Sequence, residues 1–299
     1  MSKLSLMCVA LRSWRLQSLS CWIVAGACAA CSQEPQPELE VFQEPIHGWV
    51  ETWRDDFDGV MGSAPDPAKW RIDVRPMGQN KELDYDTDDR KNSFLDGNGM
   101  LVLKAIQENY VDAQGVQSTQ PYTSARLDTR GTLEQTYGKF EARIKLPQGG
   151  QGIWPAFWLL GANIEEAGWP GCGEVDILEW RGSEPTRILS SLHGPNYFGS
   201  GAFNNPYKLP SGSFADDFHT FTFEWTPDAT RWLLDGKPYF IVTADSMARG
   251  GRRWVFDHPF YLILNLAVGG VFDGDPPPST RFPQQMLVDY VSVSKIASP

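Results

Sequence analysis

Three acidic residues lie close together in the stretch Glu-Val-Asp-Ile-Leu-Glu at residues 174–179. The alternation of acids with aliphatic residues is typical of a β-strand with one polar and one apolar face. Strict alternation would place Glu179 on the apolar face, where a charge is costly. One extra residue, a β-bulge, would return Glu179 to the face of Glu174 and Asp176, and bulges are common beside active sites. We therefore predict a bulged strand that presents three carboxyl groups on one side.

This set of carboxyl groups suits retaining glycoside hydrolysis, in which one acid is the nucleophile and another is the acid and base. With the bulge, Glu174 and Glu179 are roughly 13 Å apart at their Cα atoms. Two side chains that lean together could close most of the gap to the required carboxyl separation of about 5–5.5 Å. The charge of Asp176 would help keep a neighbouring carboxyl protonated. Spacing alone leaves a solvated acidic face on an edge strand as an equal alternative.

The surroundings of these acids resemble glycoside hydrolase family 16, a family of jelly-roll enzymes that act on β-glucans and galactans. The order Glu-x-Asp-x-x-Glu is the bulged form of the family motif, typical of its laminarinase-like members. The resemblance implies that Glu174 is the nucleophile, Glu179 the acid/base and Asp176 the residue that orients and tunes them. It extends in order over residues 53–59, 69–70, 78–83, 122–127, 137–143, 153–161, 260–270 and 282–293.

Composition and turn signals predict an all-β fold. The 299 residues include 28 Gly, 22 Pro and 12% aromatic residues, and short alternating runs are separated by turn sequences. Asp235-Gly236 is a typical hairpin turn, and the only short helix we expect is near residues 245–250. We predict a two-sheet antiparallel β-sandwich, a concanavalin-like jelly roll with a concave cleft.

The first residues are interpreted as an export signal. An Ala-rich apolar run at residues 21–31 follows the basic residues Lys3, Arg12 and Arg15 and is too short to span a bilayer comfortably. Residues 27–32 resemble a lipoprotein processing box, with Cys31 as the lipid anchor; ordinary signal-peptidase cleavage at an Ala is the alternative, and Met7 is an alternative start. We predict a leader over 1–31, a flexible linker over 32–47 and a catalytic domain over 48–297. The protein is then an outer-membrane or cell-surface lipoprotein, or is secreted or periplasmic.

Charge and cysteine content limit the partners. Loss of residues 1–30 changes the formal net charge from −11 to −14. Such an acidic domain disfavours nucleic acid and anionic membranes and suits a neutral polysaccharide. Cys172 is the one cysteine outside the leader, so the domain has no internal disulfide, and the absence of a His nearby in sequence argues against a catalytic thiol. We expect a monomer that needs no organic cofactor and contacts a membrane only through the lipid.

Five residues are candidates for sugar binding. Trp154 and Trp158 share a strand face and could stack on sugar rings, although core packing is the alternative. Arg126 and Asn80 match family positions that contact sugar hydroxyls; a structural ion pair and a turn-stabilising role are their alternatives. His193, on the strand after the acidic one, could assist the acid/base or bind a hydroxyl, or could be a satisfied sheet histidine.

The resemblance also implies a structural calcium ion away from the cleft. Asp289 and the turn at Gly97 match that region, but one carboxylate with backbone carbonyls is a weak cation signal.

Together these features predict a retaining endo-β-glucanase that cleaves β-1,3-glucan of the laminarin type. A mixed-linkage glucanase and an agarase of the same family remain alternatives, whereas the bulged motif argues against a transglycosylase. A glucan-binding jelly roll without activity is the alternative from another class, since fold does not guarantee catalysis.

Overall fold

The structure is a computed structural model that describes residues 48–76 and 78–297. The predicted leader at 1–31, the linker at 32–47 and the lipid-anchor residue Cys31 lie outside the described residues.

Short strands account for most of the regular structure. In chain order they are β1 (Trp49–Asp55), β2 (Arg71–Ile72), β3 (Arg75–Pro76), β4 (Asp84–Asp86), β5 (Ser93–Leu95), β6 (Leu101–Gln107), β7 (Tyr122–Ser124), β8 (Arg126–Asp128), β9 (Glu134–Gln135), β10 (Gly138–Lys145), β11 (Ile153–Gly161), β12 (Glu174–Trp180), β13 (Arg187–His193), β14 (Phe203–Lys208), β15 (His219–Trp225), β16 (Ala229–Leu234), β17 (Lys237–Thr243), β18 (Phe260–Val268) and β19 (Gln284–Ile296).

The strands form two sheets. The larger has the order β17-β16-β15-β10-β19-β6-β7-β4-β3, with β1 also paired to β19 and β5 to β6. The smaller has the order β14-β13-β12-β11-β18-β8-β2, with β9 also paired to β18. Among the described strands, β4 and β7 form the one parallel pair, and the other pairs are antiparallel. The predicted two-sheet, largely antiparallel β-sandwich is confirmed.

The core lies between the sheets because alternate residues of their strands are apolar. Strand β10 shows this most simply, since every second residue from Gly138 to Ile144 is buried. Three fully buried tryptophans, Trp180, Trp225 and Trp232, join the central hydrophobic cluster. Burial of one large apolar side chain contributes about 1.5–3 kcal/mol, so this core can stabilise the domain without the help of a disulfide.

Helices are few and short. Helix α1 covers Ile164–Ala167 and α2 covers Ala244–Arg249, where Thr243 and Ser246 form a capping box. The sequence predicted α2 but missed α1, which is a single turn with no buried residue. The predicted hairpin turn is present between β16 and β17, and both Asp235 and Gly236 have positive φ. None of the helices in the described part of the chain is long and apolar enough to cross a membrane.

Candidate active site

Strand β12 contains the predicted bulge. Phe157 and Trp158 are consecutive on β11, yet they pair with Leu178 and Asp176, so Ile177 is the extra residue of β12. The other neighbour, β13, shows the same irregularity between Asp176 and Glu179. The aliphatic residues of β12 are buried in the core. The bulge therefore leaves all three acids on the outer face of the smaller sheet, as the sequence predicted.

Two backbone carbonyl groups at the bulge accept hydrogen bonds from side chains outside their own strand. Trp232, on the opposite sheet, donates its indole N–H to the carbonyl oxygen of Asp176 at 2.9 Å. Ser190 on β13 donates its hydroxyl to the carbonyl oxygen of Ile177 at 2.9 Å and lies 2.6 Å from the hydroxyl of Tyr239. A bulge disrupts the regular ladder of hydrogen bonds, and unpaired buried carbonyls destabilise a fold. Trp232 and Ser190 thus stabilise the backbone that orients Glu179.

His193 lies beside the first two acids. Its Nε2 is 2.9 Å from Asp176 Oδ2 and 3.7 Å from Glu174 Oε1. The backbone N–H of Gly199 donates to Nδ1, so a neutral His193 ring carries its proton on Nε2, facing the carboxyl groups. Potential metal-ligand atoms of these three side chains lie within 4.8 Å of one another. This separation would suit a cation, but a glycosidase needs the same atoms for its sugar substrate.

Trp169, in the loop before β12, is a site residue that the sequence reasoning missed. Its indole N–H donates to Glu174 Oε2 at 3.1 Å, while its ring is 48% exposed. Phe198, also exposed, meets that ring edge-on with the centroids 5.3 Å apart. Its position five residues before Glu174 was the one feature of the sequence that could have indicated a role of Trp169 in the site.

The two tryptophans of β11 lie on the same face as the acids, as predicted. Trp154 donates its indole N–H to Glu179 Oε1 at 3.2 Å and stacks on Phe272 with the centroids 4.8 Å apart. Trp158 pairs in register with Asp176 and donates to Asn265 Oδ1 at 2.8 Å. Both side chains are half-buried, whereas Phe157 and Leu159 fill the core on the opposite face. The prediction that these tryptophans line the catalytic face agrees with the geometry.

Arg126 borders the same face and is 7% exposed. Its guanidinium lies 4.8 Å from the centroid of the Trp158 ring, and its Nε is 3.4 Å from Asp73 Oδ2. Arg126 therefore makes the ion pair that was its alternative role, and its contact with sugar hydroxyls stays a prediction.

Asn80 lies in the loop before β4. Its backbone N–H and its side-chain amide donate to the two carboxylate oxygens of Glu82, at 2.7 and 3.0 Å. Its carbonyl accepts from the N–H of Val271. These contacts are those of the turn-stabilising alternative, and a contact of Asn80 with substrate stays a prediction.

Asp289 and Gly97, the two residues predicted at a calcium site, each make contacts with other protein groups. Arg143 donates to Asp289 Oδ2 at 2.6 Å, and a cation next to this guanidinium would be repelled. Gly97 has φ of 84°, and a Cβ there would lie 3.0 Å from Met61 Cβ, so turn geometry accounts for this glycine. These contacts account for both residues without an ion, and calcium binding stays a prediction.

Burial dominates the electrostatics of the three acids. Burial, followed by the charge of Asp176, raises the pKa of Glu174 to about 8, against the opposing effects of His193, the Trp169 hydrogen bond and Arg126. Burial also raises the pKa of Asp176 to about 8. Burial, followed by the charges of Asp176 and Glu174, raises the pKa of Glu179 well above its usual range. The raised pKa of Glu179 favours the protonated form that a general acid requires.

Cys172 is fully buried near the start of β12. Burial and then the nearby charge of Glu174 raise the pKa of its thiol to about 11. A buried thiol with a raised pKa is a poor nucleophile, which agrees with the structural role expected from the sequence.

A β-sandwich with two glutamates and an aspartate on one bulged strand, bordered by tryptophans, defines a glycosidase-type site. The model of the glycosyl hydrolases family 16 matches residues 80–292. A β-glucanase of Rhodothermus marinus is 38% identical over 82% of this chain and 85% of its own length. A glucan endo-1,3-β-glucosidase of Cryptopygus antarcticus is 39% identical over 81% of this chain and 88% of its own. The laminarinase catalytic domain of Thermotoga maritima superposes with a TM-score of 0.77 at 43% identity, over 84% of this chain and 100% of that domain.

The chain therefore belongs to glycosyl hydrolase family 16, in its laminarinase-like branch. It is an O-glycosyl hydrolase.

Proposed function

We propose that this protein is a retaining endo-β-glucanase that cleaves β-1,3 linkages in laminarin-type glucans. The single observation that carries the mechanism is the bulge at Ile177, because it brings Glu174 and Glu179 to one face. The similarity to a glucan endo-1,3-β-glucosidase and to a laminarinase supports the substrate.

The surroundings of the two glutamates are similar. Both are buried beside Asp176, both accept an indole N–H, and His193 lowers the pKa of both. The balance raises the pKa of Glu174 to about 8 and that of Glu179 well above its usual range, and Arg126 additionally lowers the pKa of Glu174. The order of the two glutamates in the family motif supports their different roles. We assign Glu174 as the nucleophile and Glu179 as the acid/base, with Asp176 as the group that orients and tunes them.

The reaction then proceeds by double displacement. A Glu174 oxygen forms a bond to the anomeric carbon while the glycosidic C–O bond breaks, and Glu179 gives its proton to the leaving oxygen. Water then attacks the anomeric carbon, Glu179 takes a proton from it, and the bond to Glu174 breaks. The two steps restore both carboxyl groups and retain the β configuration without an organic cofactor.

Substrate binding is assigned to the polar and aromatic groups around the acids. We propose that the exposed faces of Trp154, Trp158 and Trp169 stack on sugar rings, because aromatic platforms suit the apolar faces of sugars. We assign Arg126 and His193 to the binding of sugar hydroxyl groups, because both border the face that carries the acids.

Reducing-sugar release from laminarin tests this assignment. Glu174→Gln and Glu179→Gln should each lower kcat by at least about a hundredfold, since each removes a covalent or proton-transfer step. Glu166→Gln, on the exposed side of α1, is the matched control and should keep full activity. Full activity of either active-site variant would contradict the mechanism, and faster turnover of mixed-linkage glucan or agarose would reassign the substrate.

We further propose that the protein is exported and anchored through a lipid on Cys31, as a monomer. The proposal rests on the basic and apolar leader followed by a small-residue processing box. Mass spectrometry of the mature N-terminus should show an acylated Cys31, and an unmodified terminus at a nearby Ala would mean ordinary secretion. Light scattering of the mature protein should give the mass of one chain.

A further inference from the structure

Trp154, whose indole N–H donates to Glu179, is also held by a stack on one face of its ring. Phe272 lies against the Trp154 ring at a centroid distance of 4.8 Å and an angle of 27° between the ring planes. The guanidinium of Arg181 lies 4.1 Å from the centroid of the same Phe272 ring. The rings and the cation form a column, Arg181–Phe272–Trp154, that ends at the carboxyl group of Glu179.

A hydrogen bond also joins Arg181 to the backbone of Phe272. Arg181 follows Glu179 by two residues, and its Nε–H donates to the carbonyl oxygen of Phe272 at 2.7 Å. Stacked aromatic pairs stabilise each other beyond the area they bury, and a cation over a ring adds an electrostatic attraction. The contacts therefore oppose rotation of the Trp154 side chain away from Glu179.

The segment that carries Phe272 is itself fixed. The neighbouring Asp273 is buried, and its carboxylate accepts hydrogen bonds from the backbone N–H of Gly152 at 2.8 Å and of Ser183 at 3.2 Å. The hydroxyl of Ser183 also donates to it. Gly152 precedes β11 and Ser183 follows β12, so Phe272 is attached to both strands that carry the site.

We propose that Phe272, supported by Arg181, is a positioning residue for the acid/base: it holds the Trp154 indole so that its N–H binds one oxygen of Glu179 and leaves the other oxygen to carry the proton. This inference rests on the proposed function of Glu179. It also means that one face of Trp154 is covered, so only the other face is open to a sugar ring.

The consequence is specific to acid catalysis. A glucan has a poor leaving group and needs a well-placed proton, whereas a nitrophenyl glycoside releases nitrophenolate, a stable anion that needs little protonation. Loss of the column should therefore impair laminarin cleavage far more than cleavage of a nitrophenyl β-laminaribioside. A general loss of folding would reduce both rates together.

The test compares Trp154→Phe, Phe272→Ala and their double variant on both substrates. We expect each single variant to lower kcat on laminarin about tenfold more than the glycosylation rate with the nitrophenyl substrate. The effects should not add in the double variant, because both remove the same support. Phe272→Tyr should restore the wild-type ratio, since it keeps the ring.

The pH profile of kcat/KM provides a second readout. The Trp154 hydrogen bond favours ionised Glu179, so its loss should move the basic limb of the laminarin profile to higher pH in both variants. The other charged groups around Glu179 are Glu174, Asp176 and His193 on the catalytic face, and Arg181, Glu184 and Arg187 around a small adjoining cavity. All of these remain in the variants.

Phe94→Ala is the matched control, because Phe94 also lies under a cation, Lys104, but on the larger sheet. It should leave the substrate ratio unchanged.

Equal loss on both substrates in Phe272→Ala, or additive effects in the double variant, would overturn the inference. If Phe272→Ala does not fold, Phe272→Leu, which keeps the bulk without the ring, decides by the same criteria. A wild-type protein inactive on laminarin, or full activity of Glu179→Gln, would instead refute the proposed function and this inference with it.

Discussion

At the scale of single residues, the site depends on three acids on one face of a strand, and burial raises the pKa of each. The sequence predicted these acids and the tryptophans of β11, because alternation and spacing are local properties. It did not predict the partners of these acids and tryptophans: Trp169, Phe272 and Asn265 come from loops and from another strand, and their contacts arise only from the tertiary fold. For the same reason, the ion pair of Arg143 with Asp289 could not be foreseen.

Asp176→Asn should move the pH optimum. Removal of the Asp176 charge reduces the repulsion that raises the pKa of Glu179 and of Glu174, so both pKa values fall. The basic limb of the kcat/KM profile reports deprotonation of the acid, so it should shift to lower pH. An unchanged or higher basic limb would show that Asp176 does not tune Glu179.

Glu174→Gln should stabilise the fold in a pH-dependent way. The folded-state pKa of Glu174, about 8, is above the ordinary value of 4.5, so the native protein binds more protons than the unfolded chain between these values. The free energy of unfolding of the wild-type protein therefore falls as pH rises through this window. The glutamine of the variant does not titrate, so the variant avoids that loss. The Tm advantage of the variant should grow from pH 5 to pH 8 in thermal scans. A constant difference, or one that shrinks, would contradict the raised pKa.

At the scale of elements, the bulge of β12 links fold to chemistry. The sequence predicted it from one argument, that Glu179 would otherwise join the apolar face. What stabilises it could not be read from local sequence, because Trp232 comes from the opposite sheet, 56 residues from Asp176, and Ser190 reaches Ile177 only after β13 has paired with β12. The single-turn helix α1 was missed because it has no buried face to give a periodic pattern.

Ser190→Ala should weaken the bulge. The change leaves the carbonyl of Ile177 and the hydroxyl of Tyr239 without this buried partner, at an expected loss of about 1–3 kcal/mol in the free energy of unfolding. Activity should fall mainly in kcat, since Glu179 is misplaced. Tyr239→Phe, the control, keeps the bond from Ser190 to Ile177 and should keep kcat. Denaturant titration and steady-state kinetics measure both effects, and an equal loss of kcat in the control would argue against a role for this bond.

At the scale of the whole molecule, the described residues form a sandwich whose smaller sheet carries the chemistry. The sandwich was predictable because the turn signals and alternating runs extend along the whole chain. The strand order was not, since β19 pairs with β1, β6 and β10, which are far away in sequence.

A chain that begins at Glu44 should fold and work like the longer one. Every strand of the described residues lies between Trp49 and Ile296. The Tm and the laminarin kinetics of the shorter chain should match those of the full-length protein within error. A lower Tm, or an insoluble product, would show that earlier residues contribute to the fold.

The most direct test of the central claim is the anomeric configuration of the azide product from Glu174→Ala and Glu179→Ala. Both variants are given nitrophenyl β-laminaribioside and sodium azide, and the products are analysed by proton NMR. Without Glu179, Glu174 still forms the glycosyl-enzyme, and azide should give the β-glycosyl azide. Without Glu174, azide attacks the substrate directly and should give the α-glycosyl azide. The opposite pair of products, or the same anomer from both variants, would contradict the assignment of Glu174 as nucleophile and Glu179 as acid/base.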